Sequence, residues 1–187
     1  MVVVGITGSP RRKGNTEMLV SEVLTGVTEA GGEVIPFSVA DGDIGGCTGC
    51  MRCRRVPRCS IDDRMTLIYE AVMRADAVVF GSPVYMGQMS AQAKAVVDRF
   101  YALLNNDGSP RFRQGTILLP LFTQGHAEAG RYASYFDLCD EMFTQLGFEV
   151  LPPVVAGGIR VKGEIGSRTA LLASAREMGK ELGHSEW

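Results

Sequence analysis

At 187 residues, with 45% hydrophobic and 21% charged side chains, the sequence describes one ordinary globular domain and excludes a disordered chain. A formal net charge of −2 gives no basic excess for neutralising phosphates, which argues against general nucleic-acid binding, and no apolar run reaches the length of a membrane span. Five cysteines, four of them clustered, fit reduced thiols serving a metal in the cytoplasm better than secreted disulfides.

The chain starts directly on the strand-like Val2-Val3-Val4, with no basic leader, so export is not expected. Val2–Thr7 is a short apolar run ending in a Gly/Pro/Ser-rich turn, the pattern of a buried strand. Asn15-Thr16 opens a helix on which Met18, Leu19, Val23, Leu24 and Val27 recur at helical spacing, and Gly31-Gly32 ends it. Glu33–Val39 reads as the second strand, and Pro36, which cannot donate to a ladder, places it at a sheet edge. A cysteine-rich loop at 44–62 follows. Asp62 or Asp63 then caps a helix carrying Leu67, Ile68, Val72 and Met73. Ala77–Phe80 is the third strand, broken by Gly81-Ser82-Pro83. Ser90 caps a long helix with Ala93, Val96, Val97, Phe100 and Leu104 on one face. Thr116–Thr123 is the fourth strand, and a helix follows near Glu128–Leu146. Phe148–Ala156 is the fifth strand, and Ser167–Leu182 the closing helix.

Regular alternation of strand and helix implies an α/β fold with a parallel sheet and helices on both faces. Five strands favour the flavodoxin-like order 2-1-3-4-5, which puts the second strand at the edge where Pro36 is tolerated. Residues 1–187 are read as a single domain of this kind. Ligands of such sheets sit beyond the carboxyl ends of the strands, at the switch point between strands 1 and 3.

Three loops meet there. The first, Thr7–Thr16, offers hydroxyls (Ser9, Thr16), an amide (Asn15), the flexible Gly14 and the cations Arg11, Arg12 and Lys13, and it feeds a helix N-terminus, a ready anion site. Neither G-x-x-x-x-G-K-[ST] nor G-x-G-x-x-G is present, so a hydroxyl-built loop for a mononucleotide phosphate fits better. The second, Ser82-Pro83-Val84-Tyr85-Met86-Gly87, is apolar and aromatic and suits a flat isoalloxazine ring. The third, Thr123-Gln124-Gly125, supplies another polar wall. Each loop alone is also what an ordinary βα turn looks like.

The cysteine loop carries the most specific signal. Cys47-x2-Cys50-x2-Cys53 and then Cys59 place four thiols within thirteen residues, a spacing that lets them converge on one centre. An iron–sulfur cluster is the leading reading. Structural Cys₄ zinc and an empty or oxidised loop are the alternatives. Arg52, Arg54, Arg55 and Arg58 interleave the thiols and either offset cluster charge, dock an acidic electron carrier, or form a solvated basic loop. Cys139 lies mid-helix as a small buried hydrophobe. His126 reads as a surface-loop histidine and His184 as part of a terminal tail. The Asp62-Asp63 pair reads as a helix cap, and no hydrolytic triad is present.

Taken together, Gly8-Ser9-Pro10-Arg11…Gly14-Asn15-Thr16, Gly81-Ser82-Pro83-Val84-Tyr85 and the cysteine loop ending in Ile61-Asp62-Asp63 resemble the NAD(P)H-dependent FMN reductase superfamily. More narrowly, they resemble its iron–sulfur flavoprotein branch. The resemblance implies FMN on the three loops and a 4Fe–4S cluster on Cys47, Cys50, Cys53 and Cys59. By it, Ser9, Arg11, Asn15 and Thr16 hold the phosphate. Pro83, Tyr85 and Gly87 flank the ring, with Thr123 and Gly125 opposite; Gly14, Val84, Met86 and Gln124 complete the candidate set. The implied function is electron transfer between cluster and FMN, coupling a protein carrier such as ferredoxin, or a small molecule, to two-electron chemistry. NAD(P)H is a candidate donor. The rivals are a cluster-free NAD(P)H-dependent FMN or quinone reductase and a non-catalytic flavin carrier or sensor. Self-association as a dimer or tetramer is expected, with the helix Ser90–Leu104 and its Tyr101-Ala-Leu-Leu end as contact surface.

Overall fold

The computed structural model describes residues 1–184. Its elements in chain order are β1 (Val2–Thr7), α1 (Asn15–Glu29), β2 (Glu33–Ser38), α2 (Met65–Met73), β3 (Ala77–Tyr85), β4 (Gln88–Met89), α3 (Ala91–Arg99), β5 (Ile117–Thr123), α4 (Ala133–Gln145), β6 (Glu149–Val150), β7 (Val154–Ala156) and α5 (Thr169–His184). The sheet runs β2-β1-β3-β5-β6, with β7 also on β5 and β4 on β3. All pairings are parallel except the β3–β4 hairpin.

The sheet is buried from both sides, and its strands read as continuous apolar runs for that reason. Alternate residues serve opposite faces. Val4, Ile6, Val78, Phe80, Leu118 and Phe122 pack toward α2, α3 and α4. Val3, Ala77, Val79, Ile117, Leu119 and Leu121 pack toward α1 and α5. Burying each such Val, Ile, Leu or Phe side chain contributes about 1.5–3 kcal/mol, so the two layers are the fold's main source of stability. On the first side the aromatics interlock: Phe122 stacks on Phe136 with centroids 4.5 Å apart, and Phe112 stacks on Phe148 at 4.4 Å.

The expected order holds for the parallel strands, and Pro36 sits on β2, which among the described residues pairs only with β1. Three expectations need correction. Gly81-Ser82-Pro83 does not break the third strand; β3 continues to Tyr85 and folds back on β4. A two-residue turn joins them, with both central residues left-handed (Met86 φ 50°, Gly87 φ 84°), and this matches the twist of a tight hairpin. The fifth strand is two pieces, β6 and β7, because Pro152-Pro153 between them cannot donate to a ladder. Among the described residues the sheet thus has seven strands rather than five. The long helix from Ser90 is also shorter: α3 ends at Arg99, and Phe100–Leu103 tightens into a 3-10 turn. Ala102, Leu103 and Leu104 are buried there, which removes that end as an apolar contact surface. His184 is the last residue of α5.

Candidate functional site

Beyond the carboxyl ends of β1, β3 and β5 lies a cavity of about 360 Å³. Ser9, Arg11, Asn15 and Thr16 line it from the loop after β1, Pro83, Val84 and Tyr85 from the end of β3, and Thr123, Gln124 and Gly125 from the end of β5. The floor is stitched by short polar contacts. Gly8 N donates to Gly81 O (2.7 Å), and Ser90, which caps α3 by accepting from Ala93 N (3.0 Å), donates its hydroxyl to Gly8 O. Thr16 and Thr123 share a hydroxyl–hydroxyl bond of 2.7 Å and are buried. The first and third loops are therefore tied across β3.

At the start of α1, Gly14 is the N-cap and no side chain caps the helix. The first-turn N–H groups thus remain available beside Arg11, where the helix dipole favours an anion. On the opposite wall, Gln124 is 2% exposed and donates its Nε2 to Glu128 O (2.6 Å) and His126 O (3.2 Å). Its Oε1 is buried with no partner, which suits a ligand N–H donor. A mononucleotide carrying a phosphate and a flat ring with N–H groups fits these walls.

Four further residues close the cavity: His126, Tyr132, Ile159 and Arg160. The loop after β7 folds over the site. Arg160 Nε donates to Gly125 O (3.0 Å), and Asn15 spans back to that loop, donating to Val161 O (2.8 Å) and accepting from Ile165 N (3.1 Å). Both ends of the Asn15 amide are thereby occupied. It shapes the wall with one of its two Nδ2 hydrogens, and the second leaves the expected phosphate contact open.

The cysteine loop sits apart from this cavity, against the far end of α3. Nine residues at 1.5 Å each make α3 a rod of about 13 Å, with Ser90 at one end bonded to Gly8 O in the loop after β1 and Arg99 at the other beside the cysteine loop. Cys47, Cys50, Cys53 and Cys59 all line one small cavity of about 50 Å³, together with Ser60, Ile61, Arg99 and Tyr101. All four are free thiols; Cys47 and Cys50 are exposed, Cys53 and Cys59 half-buried. Among the described residues, no group of three or more His, Cys, Asp or Glu side chains is drawn together around a single metal-ion position. The hydroxyl of Ser60, 3.0 Å from Cys50 Sγ, pulls that thiol down to about 7, assisted by the backbone of Arg52 and the hydroxyl of Thr48. A thiolate is thus accessible near neutral pH at Cys50.

Three arginines hold the loop to the body. Arg54 stacks over the Tyr101 ring at 3.7 Å and donates to Asn105 O. Arg111 Nη2 donates to Cys53 O (2.8 Å), while its Nε and Nη1 are buried without partners. Arg99 is buried against Asp63 (2.9 Å). Burial works against the Asp63 charge, but hydrogen bonds from Arg99, Gly45 and Met65 outweigh it and hold the carboxyl below its usual range. A third cavity of about 370 Å³ opens beside Cys59, Arg58, Tyr69 and Arg111. The strand-end cavity is the better nucleotide site, since it lies at the switch point and collects polar groups from three loops.

The sequence profile of the NADPH-dependent FMN reductase family matches residues 1–157. The chain belongs to that family. An iron–sulfur flavoprotein of Methanocaldococcus jannaschii is 43% identical over 99 residues, covering 53% of this chain and 51% of the relative. An iron–sulfur flavoprotein of Methanosarcina thermophila is 35% identical over 118 residues, covering 63% and 62% respectively. The chain spans about half to two-thirds of the length of such curated relatives. In fold it is similar to an NAD(P)H:quinone oxidoreductase from Methanothermobacter marburgensis, with a TM-score of 0.74 at 19% identity over 100% of this chain and 99% of that one.

Of the thirteen residues expected around a flavin, ten line the strand-end cavity of this family member. Gly14, Met86 and Gly87 do not. Gly14 is the helix cap just behind it, and Met86 is fully exposed at the hairpin tip. Gly87 lies in the same turn, where an added Cβ would stand 3.7 Å from the Tyr132 ring. His126 is exposed, as expected of a loop histidine, yet borders the cavity. Tyr132, Ile159, Arg160 and Arg99 were not legible as site residues. Only Arg160, a cation just past the fifth strand, carries a signal that the switch-point rule could have flagged.

Proposed function

We propose that this family member is a flavin-dependent oxidoreductase that binds FMN in the strand-end cavity and carries a 4Fe–4S cluster on Cys47, Cys50, Cys53 and Cys59, with electrons passing between the two. The observation that carries this proposal is that four thiols spread over thirteen residues line one cavity. An all-thiolate donor set is one that iron–sulfur clusters use, and iron with labile sulfide per chain separates it from Cys₄ zinc. The names of the iron–sulfur flavoprotein relatives support the same assignment.

When bound, FMN supplies a centre that takes one or two electrons, and a cluster passes one at a time. The chain's own residues bind and orient. The uncapped start of α1 with Arg11 and Ser9 takes the phosphate, and Thr16, bonded to Thr123, fixes the helix end against β5. Pro83, Val84 and Tyr85, which line one wall, would lie along one side of the ring. Gln124 Oε1, buried without a partner, would accept from a ring N–H, and the Gly125–Arg160 contact would close the edge. Arginines near the thiols offset the negative charge of a thiolate-ligated centre.

The partners proposed are a one-electron protein carrier such as ferredoxin or a small-molecule donor or acceptor, with NAD(P)H as a candidate donor, in the cytoplasm. No helix among the described residues is long and apolar enough to cross a membrane. A homo-oligomer, dimer or tetramer, is also proposed. Sedimentation of the doubly loaded protein at micromolar concentration checks this, and a monodisperse monomer contradicts it.

A cluster-free NAD(P)H-dependent FMN or quinone reductase is the second reading, favoured by the family description. Iron and flavin content across five single cysteine-to-serine variants separates the two. Serine at positions 47, 50, 53 or 59 should abolish or destabilise iron binding while flavin stays; Cys139→Ser should keep both. Iron absent from the wild type after anaerobic purification, with flavin present and NAD(P)H turned over, favours the reductase reading.

A further inference from the structure

We propose that Arg99 is the positioning residue of the cysteine loop: its buried guanidinium closes the neck of that loop and so holds four thiols around one cavity. The proposal rests on the cluster assignment above only for what the cavity holds.

Between residues 41 and 64 no side chain is buried. The loop therefore has no hydrophobic core of its own, and its shape depends on polar anchors. Arg99 is the principal one. It ends α3 and is 1% exposed, the largest fully buried side chain among the described residues. Each of its five N–H groups has a partner. Nη1 donates to Gly45 O (2.8 Å) and Asp63 Oδ2 (2.9 Å). Nη2 donates to Ile61 O (3.3 Å) and Asp63 Oδ1 (3.0 Å), and Nε donates to the Tyr69 hydroxyl (3.2 Å). Asp63 completes the knot by accepting from Gly45 N (3.0 Å) and Met65 N (3.0 Å). Gly45 and Ile61 are the two ends of the segment that carries all four loop cysteines. One planar fork thus fixes both ends, which a lysine ammonium cannot do.

Arg99 also lines the cavity that the four cysteines share. A buried ion pair is a poor source of net stability, since desolvation offsets its attraction. Its value lies in direction: the fork and the carboxylate admit one arrangement of the loop neck. Asp63 is therefore more than a helix cap. Its carboxylate orients Arg99, and Tyr69, which donates to Arg99 O (3.0 Å), seats the guanidinium from the other side.

The test uses the flavin-loaded full chain with Arg99→Lys, and a double variant, Asp63→Leu with Arg99→Met, that removes both charges and so avoids stranding either one. Trypsin cleavage at the loop arginines (Arg52, Arg54, Arg55, Arg58) reports loop order, iron per chain reports the centre, and flavin content and thermal melting report the fold. Loop cleavage should become about tenfold faster in both variants, because proteolysis follows the population of the opened segment. Iron per chain should fall below half, with flavin content unchanged. Loop cleavage and iron equal to wild type in the double variant overturn the proposal. So does a joint loss of flavin, melting temperature and iron, which marks Arg99 as merely structural. Should the wild type hold no iron, the cluster assignment fails and the cleavage comparison alone decides the role of Arg99.

Discussion

Replacing Asp63 with asparagine keeps the shape of the side chain and removes its charge. The carboxylate accepts from Arg99 Nη1 (2.9 Å) and Nη2 (3.0 Å), from Gly45 N (3.0 Å) and from Met65 N (3.0 Å). An amide has one acceptor oxygen, and its NH₂ would face donors instead. Arg99 then keeps its charge at 1% exposure without a counter-ion. Stranding a buried charge costs about 3–5 kcal/mol; Asp63 lies nearer solvent, which points to the lower end, about 3 kcal/mol at neutral pH. The pH dependence has a definite sign. Burial raises the Asp63 pKa, but the Arg99 hydrogen bond and the two backbone amides outweigh it, so the folded value lies below the ordinary 3.8. The stabilisation is therefore complete above the unfolded value and is lost as the pH falls through the folded one. Urea unfolding of both proteins at one fixed flavin concentration should show the gap at pH 7 and its closure below about pH 4. A gap already absent at pH 7, or one that widens in acid, refutes the reasoning.

Two other substitutions probe the strand-end cavity. In the double variant Arg11→Ala, Thr16→Ala the loss of a charge-assisted contact should weaken FMN binding by about tenfold or more, read from flavin fluorescence. Unchanged affinity removes the proposed phosphate site. Gly81→Ala would place a Cβ 2.5 Å from Val20 Cγ2 and 3.0 Å from Thr16 Cγ2. Pushing α1 off the sheet should cost about 1–3 kcal/mol and weaken FMN binding together with it, and a variant with wild-type melting and wild-type affinity contradicts the close packing described.

How much could be read from sequence depended on how local each signal was. Alternating apolar runs and turn residues set out the parallel core, and Pro36 alone located its edge. The Ser90 cap was equally legible, because a cap bonds three residues ahead. The hairpin at β4 was missed because Gly81-Ser82-Pro83 looks like a strand breaker. There the chain is instead held by a buried Ser82 hydroxyl accepting from Ser90 N (3.1 Å). The bonds of Asn15 to the loop after β7 carry no local signal for a similar reason: its partners lie 146 and 150 residues away, on a loop with no motif. Arg99 was invisible among the charged residues of an amphipathic helix. Its burial follows from Asp63, 36 residues earlier, which local pattern marks only as a helix cap.

Electron counting tests the central claim most directly. Anaerobically purified protein, with iron, labile sulfide and flavin quantified, would be titrated with dithionite while the visible spectrum is followed. With both centres present, full reduction should consume about three electrons per chain, two for FMN and one for the cluster, alongside about four irons. Full reduction at about two electrons with no iron would contradict it.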